Sequence, residues 1–322
     1  MIDNAALIAA IPGVLRGTDL SGLGERYVGK VRDSYLAPGR RVLVATDRLS
    51  AFDRVIACIP YKGQVLNQLA AWWFEQTADL VGNHVLSVPD PNVTVAREAV
   101  TLPIEVVVRG YITGVTDTSL WHHYQQGPRP YGLDLPAGLR KNDRLPHPVI
   151  TPTTKGLQGE HDVPIAAADV VAAGLVEAEL WEHAQHVVLE LYRRGAEVAA
   201  RAGLILVDTK YELGLIDGKL CVIDEIHTPD SSRFWVADSY EARHAAGEEP
   251  EGLDKEYVRR WLKSVGYAGE GPPPPMPDDV TTELARRYIS AFERLTGQTF
   301  TPAAQPAGPR IAEALSLWQE GS

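Results

Sequence analysis

Cysteine is scarce in this chain. Its 322 residues include only two, Cys58 and Cys221, which lie far apart and outside any CxxC or Cys/His spacing. That excludes a disulfide framework and a structural zinc site, and leaves both as core thiols. Long apolar runs are also missing: the longest strand-like ones, Leu102 to Val108 and Leu204 to Val207, fall well short of the roughly 18 to 20 residues that cross a bilayer. The apolar stretch around Ala5 to Val14 has Asp3 before it and its first basic residue, Arg16, after it. This is the wrong charge order for a secretory signal, so a cytoplasmic location is expected. Positive charge is in deficit, 31 Lys and Arg against 42 Asp and Glu for a net charge of −11. Non-specific binding to nucleic acid or anionic lipid is therefore not expected, and an anionic small substrate would have to be held by local Lys and Arg. The histidines form no HExxH, no GxSxG elbow is present, and the tail beyond Pro277 holds no internal repeat.

What is present suits one large or two ordinary domains, with 45% hydrophobic residues to fill a core. Arg26 to Tyr35 and Arg41 to Thr46 alternate as strands around the turn Ala37-Pro38-Gly39. Lys62 to Leu80 carries Val65, Leu66, Leu69, Trp72, Trp73 and Phe74 at helical spacing, and Glu177 to Ala202 does the same with Gly203 at its end. The Pro-, Gly- and Thr-rich stretch from Tyr131 to Pro164 has little periodicity and predicts a long ordered loop. Leu204 to Leu213 and Leu220 to Ile226 flank Asp217-Gly218, a strong hairpin signal. After the proline run in Gly269 to Pro277, Asp278 is expected to cap a helix reaching towards Thr296.

Charge concentrates in two places. Gly24 to Lys30 reads GxxxxGK, but Val31 stands where a phosphate-binding loop needs Ser or Thr, and a strand rather than a helix follows. What remains is a Gly turn followed by Lys30 and Arg32 on one strand face, two cations able to grip nucleotide phosphates or simply a solvated basic edge. The second hairpin and the turn after it gather Lys210, Glu212, Asp224, Glu225, Asp230 and Arg233. One carboxylate from each strand, Glu212 and Asp224, would hold a magnesium ion that bridges ATP phosphates. A three-residue loop would place these two directly opposite one another and a two-residue loop would not; a salt-bridged solvated hairpin is the alternative. Arg109, before Gly110 at a strand end, and Arg233 offer guanidinium groups for carboxylate or phosphate.

An ordered set of motifs then resembles the SAICAR synthetase family from about Tyr27 to about Trp235. They are G-K-V-R-D at 29 to 33, A-T-D-R-L-S-A-F-D at 45 to 53, K-G at 62 to 63, V-V-R-G at 107 to 110, T-P-T-T-K at 151 to 155, and L-V-D-T-K-Y-E-L-G with D-E-I-H-T-P-D-S-S-R at 206 to 233. The resemblance implies an α+β fold of two subdomains with antiparallel sheets, like ATP-grasp enzymes and protein kinases, an ATP-binding cleft between them and C-terminal helices. The expected division is residues 1–110, with the Gly-Lys hairpin, and 111–322, with the metal and substrate hairpin and the helical tail. It also implies an ATP-dependent ligase of purine biosynthesis that joins L-aspartate to carboxyaminoimidazole ribotide through an acyl phosphate, using ATP and Mg2+. Lys30, Arg32 and Lys155 would lie at the nucleotide, Glu212 and Asp224 at the metal, Arg109, Asp230 and Arg233 at the ribotide, and Asp53 and Lys210 at the reacting groups. The loop with Thr154, Lys155, Glu160, His161 and Asp162 would flank the nucleotide. One departure stands out: Gly114 is followed by Val-Thr-Asp-Thr before Ser119, where family members place a substrate-binding Ser directly after the second Gly, so Ser119 would serve after a short insertion. A small-molecule kinase would share the nucleotide apparatus but not depend on aspartate, and a regulatory nucleotide-binding protein would release no ADP.

Overall fold

The computed structural model describes residues 2–116, 118–127, 129–155 and 163–320. Near the N-terminus, α1 (Asn4–Ala10) is capped by Asp3, whose carboxylate accepts from Ala6 N at 2.7 Å. A five-stranded antiparallel sheet follows, in the order β1-β2-β3-β8-β7: β1 (Glu25–Val28), β2 (Arg32–Ala37), β3 (Arg40–Ala45), β7 (Val85–Asp90) and β8 (Val93–Arg97). The strand expected over Arg26 to Tyr35 is interrupted at residues 29–31, so the Gly-Lys segment is itself a turn between β1 and β2. A small hairpin, β4 (Arg48–Ala51) and β5 (Arg54–Cys58), leads into α2 (Lys62–Gln76), which contacts β3 and β8.

The second sheet has the order β11-β10-β9-β12-β13-β6, with β14 also pairing β12. Its strands are β6 (Gly82–Asn83), β9 (Val100–Tyr111), β10 (Arg144–Thr154), β11 (Val163–Pro164), β12 (Leu204–Ile216), β13 (Lys219–Ile223) and β14 (Ser232–Val236). Two of these strands, β6 and β9, precede residue 112, so the two sheets do not separate cleanly along the chain. The sheet is antiparallel apart from β6 with β13. Strand β10 corrects the expectation of a loop over Tyr131 to Pro164. Its prolines obscure the alternation, but Pro146 and Pro148 fall where the pairing with β9 is interrupted between Arg144 and Val149, so their missing N–H groups break no regular ladder there.

One face of this sheet is apolar. Ile104, Val106 and Val108 of β9 and Tyr211 and Leu213 of β12 pack into one core with Trp181, Ala184, Val188 and Leu191 of α5 (Ala178–Arg201). Smaller helices fill the connections: α3 (Leu120–Gln126), α4 (Asp169–Ala172), α6 (Ala237–Ala245) and α7 (Glu256–Ser264). Helix α8 (Asp278–Thr296) lies against α2 and α7. Pro277, not Asp278, occupies its N-cap, and Asp278 sits in the first turn, where its charge still suits the helix dipole. Finally α9 (Ala307–Glu320) returns to the first sheet: Ala307, Ile311 and Leu315 share a core with Tyr35, Val42, Val44, Val93 and Val95. No described helix is long and apolar enough to cross a membrane.

Candidate active site

The polar face of the second sheet carries a row of charge set by strand register. Alternation along β12 turns Asp208, Lys210 and Glu212 away from the core that takes Tyr211 and Leu213. Asp208 pairs with Arg109 of β9 on one side and Arg233 of β14 on the other, and Glu212 pairs with Glu105 of β9. Arg109 Nη1 lies 3.3 Å from Asp208 Oδ2, and Arg233 contacts that same oxygen. Arg109 also donates to Thr151 Oγ1 at 2.8 Å. All three charged groups are nearly buried, so each needs the others: removing one partner of such a cluster typically costs about 3 to 5 kcal/mol.

Two strand steps further on, Lys210 Nζ bridges Glu105 Oε1 at 2.6 Å and Glu212 Oε1 at 3.1 Å, while Lys155 contacts the other oxygen of Glu212. Burial works against the charges of both Glu212 and Lys210. For Glu212, Lys210 and Lys155 more than offset it and hold the carboxyl well below the usual range. For Lys210, Glu212 and Glu105 likewise outweigh burial and keep the ammonium protonated. A pair of facing carboxylates that demands a cation between them is also a donor set of the kind magnesium takes, hard oxygens from one or two side chains with phosphate and water completing the shell. Among the described residues no group of three or more Asp, Glu, His or Cys side chains forms a metal cage by itself.

The hairpin turn has two residues, Asp217-Gly218, with Ile216 paired to Lys219 and Glu212 to Ile223. Asp224 is therefore not directly opposite Glu212. It sits one residue beyond the strand with φ of 65°, which breaks the alternation. Its carboxylate meets Arg32 of β2, which also reaches Glu225 Oε2 at 2.8 Å. This bridge joins the first sheet to the second across a recess lined by Leu43, Leu66, Asn67, Phe74 and Thr94 as well. Buried His84 lies near both sides: after burial itself, Arg32 and Arg41 push its pKa down, to about 4, while Glu212 opposes them.

The turn after β13 buries Asp230. Lys62 Nζ lies 2.9 Å from its Oδ2, and Tyr288 of α8 donates to its Oδ1 at 2.7 Å. Behind the turn, His227 accepts or donates a 2.6 Å hydrogen bond with Tyr211. Ser119 caps α3, accepting from His122 N at 3.3 Å. Ser119 lies against Gly114: at Gly114, where φ is 107°, a Cβ would come within 2.4 Å of Ser119 Cβ and 3.3 Å of Arg233 Nη2. Only glycine fits there, and Ser119 thereby lies beside the Arg109, Asp208 and Arg233 row.

In the first sheet Lys30 is half-exposed and bonds Asp53 Oδ1 at 2.6 Å. Arg48 holds the Gly-Lys turn from behind, donating to Gly29 O at 2.9 Å, Lys30 O at 3.3 Å and Arg32 O at 3.0 Å, and to buried Asp33 at 2.7 Å. Asp33, though burial opposes it, is kept ionised by Thr18 N and Arg48. Although its motifs contain Asp33, Arg48, Lys62, Thr151 and Asp208, sequence reasoning gave none of these a role, nor did it single out Glu105 or Tyr288. Glu105 and Arg109 stand four residues apart on a strand, hence on one face, and Asp208 alternates with Lys210 and Glu212; those spacings were the available signals. Glu160, His161 and Asp162 lie outside the described residues.

Residues 25–274 match the family model for SAICAR synthetase. The chain is 48% identical over 315 residues to the phosphoribosylaminoimidazole-succinocarboxamide synthase of Legionella pneumophila (strain Paris), covering 96% of this chain and 99% of that protein. It is 47% identical over 320 residues to the chloroplastic enzyme of the same name from Arabidopsis thaliana, covering 98% of this chain and 75% of that protein. Among solved structures, the SAICAR synthase of Saccharomyces cerevisiae complexed with SAICAR superposes with a TM-score of 0.78 at 32% identity, over 89% of this chain and all of that one. A SAICAR synthetase in complex with ADP shares the fold, with a TM-score of 0.66 at 23% identity over 86% of this chain and all of that one.

Proposed function

This chain belongs to the SAICAR synthetase family, and on that footing we propose that it is the ATP-dependent ligase that joins L-aspartate to carboxyaminoimidazole ribotide, giving SAICAR, ADP and phosphate in the cytoplasm. The observation that carries the site assignment is the row on the second sheet. It runs from an arginine pair flanking Asp208 to a lysine-bridged carboxylate pair, with Arg32 facing it from the first sheet.

A carboxylate does not condense with an amine in neutral water, because hydroxide leaves poorly and the anion repels the nucleophile. Transfer of the γ-phosphoryl group of ATP to the ribotide carboxylate removes both obstacles. The α-amine of aspartate then attacks the acyl phosphate carbonyl, and phosphate departs with the electron pair of the broken C–O bond. The protein's share is positioning and charge neutralisation. Arg109, Arg233 and Ser119 orient the anionic ribotide, with Asp230 holding a polar group of it. Lys30, Arg32 and Lys155 attract the triphosphate, and Lys210 neutralises charge that builds on the transferring oxygens. Asp53, ion-paired to Lys30 at 2.6 Å, sets that lysine near the reacting groups. Magnesium, when bound, would be held by Glu212 and Asp224, with phosphate and water completing its shell, and would screen the phosphate oxygens.

Purified protein incubated with ATP, magnesium, L-aspartate and carboxyaminoimidazole ribotide should form SAICAR and ADP in equal amounts, and omission of any one should abolish both. ADP release that persists without aspartate and yields a phosphorylated ribotide as end product would overturn the ligase reading.

A further inference from the structure

The tail beyond β14 carries no motif of its own, yet one of its side chains enters the site. Asp230, on the turn that leads into β14, has both carboxylate oxygens engaged from outside that turn: Oδ2 by Lys62, the first residue of α2, and Oδ1 by Tyr288 of α8. Lys62 and Tyr288 are fully buried, and the three residues come from segments 168 and 58 positions away from one another in sequence. A buried ammonium in the first turn of a helix works against both desolvation and the helix dipole. Packing alone would favour an apolar residue there, so the arrangement calls for another reason. The turn is tied directly to the charged row, since Lys210 N donates to Ser231 O at 2.9 Å. A change in the plane or position of the Asp230 carboxylate is therefore adjacent to the backbone of Lys210.

We infer that Lys62 and Tyr288 are positioning residues that fix the Asp230 carboxylate for the ribotide, so that α8 is part of the active site rather than an appendage. The inference rests on the ligase reading above. Each partner takes one lone pair on one oxygen, which leaves the remaining lone pairs directed by two anchors instead of by a mobile turn. Lys255, at the start of α7, adds a second positive charge nearby. Although burial works to raise its pKa, Lys255, Lys62 and the Tyr288 hydroxyl together keep Asp230 ionised.

The test uses the full-length protein and steady-state kinetics with each substrate varied in turn. Tyr288→Phe removes one oxygen and keeps the ring; the KM for ribotide should rise about tenfold, the ratio expected for losing one hydrogen bond to a charged group, with the KM for ATP and for aspartate unchanged. Lys62→Met keeps the length and removes the charge; the acidic limb of kcat/KM for ribotide should move up by about one pH unit. A ribotide KM within twofold of the starting protein in Tyr288→Phe would reduce both residues to scaffolding and overturn the inference, and that variant decides alone if Lys62→Met does not fold. Failure of the ligase reading would look different, because the unsubstituted protein would then form no SAICAR from the complete mixture.

Discussion

Two hairpins in this molecule close with turns of equal length and handedness but are made from different residues. Asp217-Gly218, between β12 and β13, has φ of 52° and 73°; Phe52-Asp53, between β4 and β5, has 51° and 59°. The first uses the residue pair that such a turn favours. The second puts two side chains in the left-handed region without a glycine, at about 1 to 3 kcal/mol of strain each. The difference follows the work each hairpin does. The first carries Lys210 and Glu212 in its arms, and its tip only meets Arg97 at the exposed surface. The second carries its polar group at the tip, where Asp53 bonds Lys30 and Phe52 packs edge-on against Tyr267 at 6.2 Å. Local rules are obeyed where the turn merely connects and broken where the turn itself presents a side chain.

Four measurements put this difference to the test. Glu212→Ala, in an arm of the first hairpin, should lower turnover on the order of 100-fold or more in steady-state assays at saturating magnesium, by analogy with loss of a preorganised electrostatic contact. Near-normal turnover would remove the function from the arms. Acid should attack the same hairpin from below, because burial pushes the pKa of His227 down to about 3. The unfolded chain, with a histidine pKa near 6.5, binds the proton first, so stability fully present above that value is lost as pH falls from about 6.5 towards 3. Denaturant titrations should show a loss of roughly 2 kcal/mol between about pH 6.5 and 5 from this residue, and His227→Gln should flatten the slope. In the second hairpin, Asp53→Gly should relieve strain and raise stability by about 1 kcal/mol while lowering turnover about tenfold. Unchanged turnover there would make the tip an ordinary turn. Gly218→Ala should lower stability by about 1 kcal/mol in thermal melts and leave turnover alone.

The same contrast explains what could be read in advance. The Asp217-Gly218 turn, the apolar stripes of α2 and α5 and the alternation of Lys210 with Glu212 are local patterns, and each appears in the structure where expected. Strand β10 was not legible, because prolines at 146, 148 and 152 mask its alternation and only its pairing with β9 defines it. Nor was the role of Glu105 evident, since it depends on register across a neighbouring strand 107 residues later. The placement of Asp224 turned on one residue of loop length, and its left-handed backbone has no sequence signature. Lys62 and Tyr288 meet Asp230 only through the packing of α2 and α8. Short-range chemistry was visible; what long-range closure brings together was not.

Helix α9 has a further consequence for biogenesis. Arg310 bonds Asn92 Oδ1 at 2.8 Å and contacts Asp90, 220 positions earlier in the chain, while Ile311 and Leu315 seal the apolar side of the first sheet. During synthesis that sheet emerges early and keeps a greasy flank uncovered until α9 leaves the ribosome, so the partly made chain presents a surface of the kind chaperones take up.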